Sequence, residues 1–345
     1  MKSINPRLDK ILKPQALNVK EASYYIEGII EAQDFLVLAE AITLLESEHS
    51  DHRQIANQIL IACEQLNPYS KRIGITGSPG VGKSTFIESV TPYIILADSK
   101  AAILTIDPSS IDNRGSILGD KTRMDQLTQN NRVFVRPSPS RKFLGGTHAM
   151  TYEAVVMCEA AGIETIIIET VGVGQSEHTV GDIVDCTILL LLPGSGDELQ
   201  GIKKGITQIA DIIVINKSDG DRLNLARNVA QDYKVATHIT EKNKQAWSIP
   251  VCLHSSTDPE FNIQVTNHLS DFFSYYNSEN IRLEHRNSIK MNVIKSRIEY
   301  HLEEVLKKKI SANRRITEIL KSSNSHPFAT IENLMKDINL DLSCR

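Results

Sequence analysis

Ile73-Gly-Ile-Thr-Gly-Ser-Pro-Gly-Val-Gly-Lys-Ser-Thr85 decides how this chain is read. An apolar run, Ile73 to Thr76, leads into Gly77 through Ser84, which fits G-x-x-x-x-G-K-[ST] in full, and the residues from Thr85 onward read as a helix. Strand, glycine-rich loop and helix in that order are the context such a loop needs to cradle phosphates. The glycines let backbone amides curl round the phosphates, and the helix N-terminus adds positive potential. Lys83 is placed to reach the outer phosphates, and Ser84 is a magnesium ligand in this reading. The expected contact set is Gly77, Ser78, Pro79, Gly80, Val81, Gly82, Lys83, Ser84 and Thr85. An ordinary glycine-rich turn is the bland alternative.

Outward from this loop, short and almost wholly apolar runs recur at Ala102 to Ile106, Thr165 to Ile168, Thr187 to Leu192, Ile212 to Ile215 and Ile249 to Leu253. Continuous rather than alternating hydrophobicity marks strands buried on both faces, and helix-length segments between them imply crossover connections. The expected fold is an α/β P-loop NTPase with a mostly parallel, doubly wound sheet. Before it, Phe35, Leu36, Leu38, Ala39, Ile42 and Leu45 form a helical stripe, which Ile55, Ile59 and Ala62 continue after an N-cap expected at Ser50-Asp51. Beyond Tyr276 the strand pattern stops, and Met291, Ile294, Ile298, Leu302 and Val305 recur every three or four residues along a long amphipathic helix. Shorter helices are expected around Ile316 to Leu320 and Ile331 to Ile338. The chain therefore divides into an N-terminal helical segment (1–69), a core (70–278) and a C-terminal helical arm (279–345). An apolar stripe on the arm must cover either a core of its own or a second subunit.

Asn216-Lys217-Ser218-Asp219 follows the run Ile212 to Ile215. A carboxylate at Asp219 can accept from both N1–H and the 2-amino group of guanine, a donor pair that adenine lacks. The wrong base would leave that carboxylate unpaired, so the sequence favours GTP over ATP. A solvated turn is the alternative. Asp107 and Glu169 each close a strand, where open α/β sheets bind ligands, and are expected with Ser84 to serve magnesium; a helix N-cap is the plainer role for either. Gly172, three residues after Glu169, could sense a γ-phosphate through its amide. Val173 stands where small signalling GTPases carry a water-orienting glutamine, and its apolar side chain cannot do that, which predicts slow hydrolysis without help. Gln175, Asp197 and Lys203 are candidates to supply it. The segments 107–124 and 193–204 are polar, glycine-rich and placed to act as switches; plain connection is the alternative.

Composition narrows the classes further. With 345 residues and a net charge of −4, the chain lacks the basic excess of a dedicated nucleic-acid binder. Its longest apolar run, Cys186 to Pro193, is strand-sized, well short of the roughly 18 residues a membrane span needs. Met1 to Pro14 lacks an apolar signal core, and five scattered cysteines without a C-x-x-C pair suit free thiols in a reducing compartment. A cytoplasmic protein is expected. The histidines do not cluster and read as surface residues, the basic residues Lys307 to Lys309 and Arg314-Arg315 as a solvated face, and Trp247 as packing.

The strings LTIDPSS, GSILGDKTRM, ETVGVGQSE, PGSGDELQGIKKG and NKSDGD resemble the methylmalonyl-CoA mutase-associated GTPases of the MeaB/ArgK type and their mitochondrial relatives. The resemblance extends from about Leu38 to His254. It implies a GTP- and magnesium-dependent chaperone that gates adenosylcobalamin loading and protects a B12-dependent acyl-CoA mutase, and a homodimer formed through C-terminal helices. It further implies switches at 107–124, 169–177 and 194–204, the third coupling to the mutase. The base site would comprise Asn216, Lys217, Asp219 and the later loop Ser255, Ser256 and Thr257, and the catalytic groups would be Lys83, Glu169, Asp197 and Lys203. A kinase or ATPase linked to arginine or lysine transport is the alternative; a nickel- or cobalt-inserting GTPase would need a thiolate or imidazole cluster that the sequence lacks.

Overall fold

The computed structural model describes residues 19–47, 49–66, 69–95, 99–107, 124–139, 146–170, 181–194, 210–241, 247–277 and 281–312. Among the described residues seven strands form one sheet: β1 (Lys71–Gly77), β2 (Ala101–Asp107), β3 (Val133–Pro139), β4 (Thr165–Glu169), β5 (Cys186–Leu191), β6 (Ile212–Ile215) and β7 (Val251–Leu253). Their order is β3-β2-β4-β1-β5-β6-β7 and every pairing is parallel. The chain thus winds to one side, fills the gap with β4, and crosses to the other side at β5. At that crossing β1 lies centrally, Ile75 pairing with Glu169 on one flank and Ile188 on the other. A crevice opens beyond the carboxyl ends of strands at such a reversal, and the Gly77–Ser84 loop leaves β1 there.

β3 is the strand that the apolar runs do not announce. Pro137 and Pro139 interrupt it, and a proline has no N–H to give a ladder. An edge position tolerates this, and β3 occupies an edge, with Thr105 opposite Pro137 and Asp107 opposite Pro139.

Because the side chains of a strand alternate, the two faces carry separate cores. On one face Ala102, Leu104, Ile166 and Ile168 meet α1 (Ala22–Ile26), α2 (Phe35–Leu45), α3 (Ser50–Gln65) and α6 (Gly146–Ala160). Further along this face Leu189, Ile213 and Ile215 pack on α7 (Leu223–Glu241). The opposite face buries Ile73, Ile75, Ile167, Ile188 and Val214 against α4 (Lys83–Ile94), α5 (Asp125–Thr128) and α8 (Pro259–Tyr276). In α2 the buried side is Val37, Leu38, Ala41, Ile42, Leu44 and Leu45, and Leu36 is exposed, so the expected stripe is rotated. Asp34 fixes the start of that helix, its carboxylate accepting from the Leu36 amide at 2.7 Å. α3 begins at Ser50 itself, and its N-cap is His49, with no side-chain cap bond, rather than Ser50-Asp51.

α9 (Ile281–Ala312) has two distinct sides. Ile289 is buried, Val293 packs beside it, and Arg297 forms an ion pair with Glu153 of α6. Met291, Ile294, Ile298, Leu302 and Val305 face away and are exposed. The helix is anchored by one side while its expected apolar stripe stays uncovered in the single chain. The helices expected around 316–320 and 331–338 lie outside the described residues.

Four of the cysteines, Cys63, Cys158, Cys186 and Cys252, are free and buried. Burial raises the thiols of Cys63 and Cys252 to about 11 and about 12, which keeps them protonated and unreactive. Cys344 lies outside the described residues. Trp247 packs against Phe272 and Tyr275 and donates its indole N–H to the Asp211 carbonyl at 2.9 Å.

Candidate nucleotide site

Gly82 caps α4 in the left-handed region (φ 96°), so that the helix starts at Lys83 and aims its first amides into the crevice. A Cβ at Gly82 would come within 2.9 Å of the Asn216 side-chain nitrogen, and one at Gly77 within 2.5 Å of the Leu190 carbonyl. Glycine is therefore required at both for close packing as well as for conformation. Lys83 is buried, and its Nζ donates to the carbonyls of Gly77 (2.8 Å) and Ser78 (3.2 Å), curling the side chain back along the loop. Ser84 donates its hydroxyl to Glu169 Oε1 at 3.0 Å, uniting two of the three expected magnesium residues. A hydroxyl and a carboxylate side by side are hard oxygen donors, as magnesium prefers when phosphates and waters complete its shell. Asp107 ends β2 on the strand next to β4, whose Glu169 is opposite Thr105.

Two threonines not anticipated from the sequence brace this end of the sheet. Thr170 donates its amide to the Ile75 carbonyl (3.0 Å), and its hydroxyl lies 3.2 Å from that of Thr76, both residues buried. No sequence signal marks them, because a lone threonine at a strand end is common.

The base motif and the phosphate loop interlock. Asn216 donates Nδ2–H to the Val81 carbonyl (2.8 Å), and Lys217 donates Nζ–H to the Gly80 carbonyl (3.0 Å). Lys217 holds this pose with a positive φ of 55°, uncommon for a residue other than glycine. Asp219 is exposed, and its Oδ2 accepts from the Ser255 hydroxyl at 2.6 Å. Ser255 is itself 2.8 Å from the Thr257 hydroxyl. The later loop thus steers the carboxylate, while Ser256 is exposed. Ser218 donates its hydroxyl to the Ile215 carbonyl (2.7 Å), which shapes the turn.

His254 corrects the expectation that the histidines lie on the surface. It has no exposed area and sits among Asn216, Asn262, Ser89 and Phe86. Burial lowers its pKa, against opposing effects of the Asn262 hydrogen bond and the Asp219 charge, so the ring is neutral at pH 7. Its partners come from three segments, α4, the turn after β6 and the start of α8, which is why spacing does not reveal it.

Gly172, Val173, Gln175, Asp197 and Lys203 lie outside the described residues, as do residues 108–123, 171–177 and 195–204 of the switch segments expected at 107–124, 169–177 and 194–204. No helix among the described residues is long and apolar enough to cross a membrane.

A parallel sheet with a glycine loop locked to an N-K-x-D turn defines a P-loop GTPase. Residues 38–313 match the family described as methylmalonyl-CoA mutase-associated GTPase MeaB, and the chain belongs to that family. It is 43% identical to the GTPase ArgK of Escherichia coli over 235 residues, 68% of this chain and 71% of that one. It is 44% identical to the mitochondrial methylmalonic aciduria type A homolog of Mus musculus over 230 residues, 64% of this chain and 55% of the mouse protein. Among solved structures it is similar to a LAO/AO transport system kinase, with a TM-score of 0.70 and 29% identity over 94% of this chain and 99% of the other.

Proposed function

We propose that this GTPase serves an adenosylcobalamin-dependent acyl-CoA mutase, gating cofactor loading and protecting the enzyme, with GTP hydrolysis timing the exchange. The observation that carries the reading is the match of residues 38–313 to GTPases named for their association with such a mutase. In this account the amides of Gly77 to Thr85 hold the β- and γ-phosphates, and Lys83 turns from the Gly77 and Ser78 carbonyls to the outer phosphates. Magnesium, when bound, neutralises charge developing on the transferred phosphoryl group. Ser84, Asp107 and Glu169 would hold it. Asp219, steered by Ser255 beside Ser256 and Thr257, accepts from guanine, while Asn216 and Lys217 keep the phosphate loop in register.

Hydrolysis by the chain alone is slow, because Val173 cannot orient water; Asp197 and Lys203 act when the mutase engages their segment. Steady-state hydrolysis with and without the cognate mutase tests this. A several-fold stimulation that Asp197→Ala and Lys203→Ala remove, with basal rates kept, supports the reading. A rate indifferent to the mutase contradicts it.

The exposed stripe of α9 takes a second copy of the chain. Met291 to Val305 runs for about 21 Å at ~1.5 Å per residue, long enough for a helix-to-helix seam. Ile298→Glu should shift the mass in light scattering from dimer to monomer, and a wild-type monomer at micromolar concentration would refute the seam. The similarity to a LAO/AO transport system kinase favours a second reading, phosphoryl transfer to a transport protein. ATP-dependent labelling of such a protein would establish it, and the guanine-directed Asp219 argues against it.

A further inference from the structure

We propose that His254 is a positioning residue of the guanine-nucleotide site, whose Nδ1–H orients the Asn216 amide so that it can tie the base loop to the phosphate loop. The inference rests on the guanine-nucleotide reading and adds to it a residue outside the P-loop and the base motif.

The orientation of Asn216 follows from its surroundings. Its nitrogen faces the Val81 carbonyl at 2.8 Å, an atom that can only accept, so Nδ2 must stay on that side. Oδ1 then faces His254 Nδ1 at 2.7 Å, and because Oδ1 also only accepts, the proton must sit on Nδ1. Asn216 is 4% exposed and His254 fully buried, so water cannot replace either partner. Without that donor, Oδ1 would be a buried acceptor with no partner, and rotation of the amide to find one would draw Nδ2 away from Val81.

The imidazole is itself held from three directions. Nε2 lies 2.9 Å from Asn262 Oδ1 on α8 and 3.2 Å from the Ser89 hydroxyl on α4. With the ring neutral and its proton on Nδ1, Nε2 can only accept, so the Asn262 amide must turn to present Nδ2–H to it, whereas Asn216 is fixed by the Val81 carbonyl and cannot turn. The ring meets Phe86 of α4 edge-on, with centroids 4.7 Å apart. Its backbone bridges the strand and the base turn, the amide donating to the Ile215 carbonyl at 2.8 Å and the carbonyl accepting from Ser218 at 2.9 Å. The relay therefore runs from α8 and α4 through His254 and Asn216 to Val81. A ring needed only to fill space would be indifferent to which nitrogen carries the proton; a ring that orients Asn216 is not.

The test uses the full-length protein and fluorescent GDP as the probe. His254→Asn keeps a donor near the position of Nδ1, whereas His254→Gln moves its amide nitrogen towards the position of Nε2. The proposal expects the Asn variant to bind within about 3-fold of wild type and the Gln variant at least ~10-fold more weakly, a difference of about 1.4 kcal/mol. In an Asn216→Ala background the same Gln substitution should cost nothing further. Equal losses in both variants, or an undiminished loss in the Asn216→Ala background, would overturn the proposal. Should the Gln variant fail to fold, long-range nitrogen–proton correlation spectra of the wild type decide: an Nδ1–H tautomer is expected, and an Nε2–H tautomer refutes it. Wild-type protein that bound no guanine nucleotide would defeat the underlying reading instead, and the tautomer would still report on His254.

Discussion

At the foot of β1, Arg72 donates from Nε and Nη2 to Glu159, both at 2.8 Å, and Arg286 of α9 reaches Glu159 (3.1 Å) and Asp185 (2.5 and 2.6 Å). Ser70 and Tyr276 add hydroxyls to the same carboxylates. At the head of the same strand, Lys83 donates to two backbone carbonyls, and Glu169 and Asp219 accept from the hydroxyls of Ser84 and Ser255. Both ends bring ionisable groups together, but to opposite purpose. At the foot two guanidinium groups answer two carboxylates with near-complete hydrogen bonding, and the cluster pins α9 to the core. At the head the partners of Lys83, Glu169 and Asp219 include backbone carbonyls and hydroxyls that phosphate, magnesium and guanine can replace. Guanidinium forks on buried carboxylates make structure, and charged groups resting on exchangeable dipoles make a binding site.

The comparison breaks if the two ends respond alike to substitution. Lys83→Ala should weaken GTP binding at least ~100-fold, since each charge-assisted contact is worth ~1.5–3 kcal/mol, and should leave the thermal midpoint of the nucleotide-free protein near wild type. Wild-type affinity by calorimetry would remove Lys83 from the site. Arg286→Ala should do the reverse. It leaves Asp185, whose side chain is fully buried, short of its main partner, and should cost about 3–5 kcal/mol in denaturant unfolding while folded protein binds nucleotide normally. A variant as stable as wild type would deny the cluster its structural role.

A smaller effect sharpens the contrast through pH. Burial lowers the pKa of His254, His268 and His285 below the ordinary 6.5. The unfolded chain therefore binds protons first, so stability is full above about pH 6.5 and declines as pH falls through the lower folded values. Glu159 acts at more acid pH. Burial alone would raise it, but Arg72 and Arg286 outweigh that and hold it below 4.5, so its contribution is complete above that value and lost below it. Denaturant midpoints should thus fall in two stages on acidification, and His254→Asn should shrink the first. A flat profile from pH 7 to 5 would contradict these directions.

How much of this was legible in the sequence depended on whether the partners were neighbours in the chain. The phosphate loop and Asn216 to Asp219 are contiguous strings after apolar runs, and the structure brings them together at β1 and β6. β3 was hidden by Pro137 and Pro139, which an edge position tolerates. The foot cluster draws Arg72, Glu159, Asp185 and Arg286 from four separate segments, and His254 likewise gathers Ser89, Asn216 and Asn262. Such clusters have no period to detect. Periodicity revealed the stripe on α9, but only packing shows that Ile289 and Val293 face inward while Met291 and Ile294 do not.

The central claim is that the head of the sheet selects guanine through Asp219. The direct measurement is competition of GTP, ATP and xanthosine triphosphate for the wild-type protein and for Asp219→Asn. The account predicts that wild type binds GTP at least ~100-fold more tightly than ATP, since a mismatched base leaves polar groups unpaired, and that Asp219→Asn shifts preference from GTP towards xanthosine triphosphate. Equal affinity of the wild type for GTP and ATP, or a preference that Asp219→Asn leaves unchanged, would contradict it.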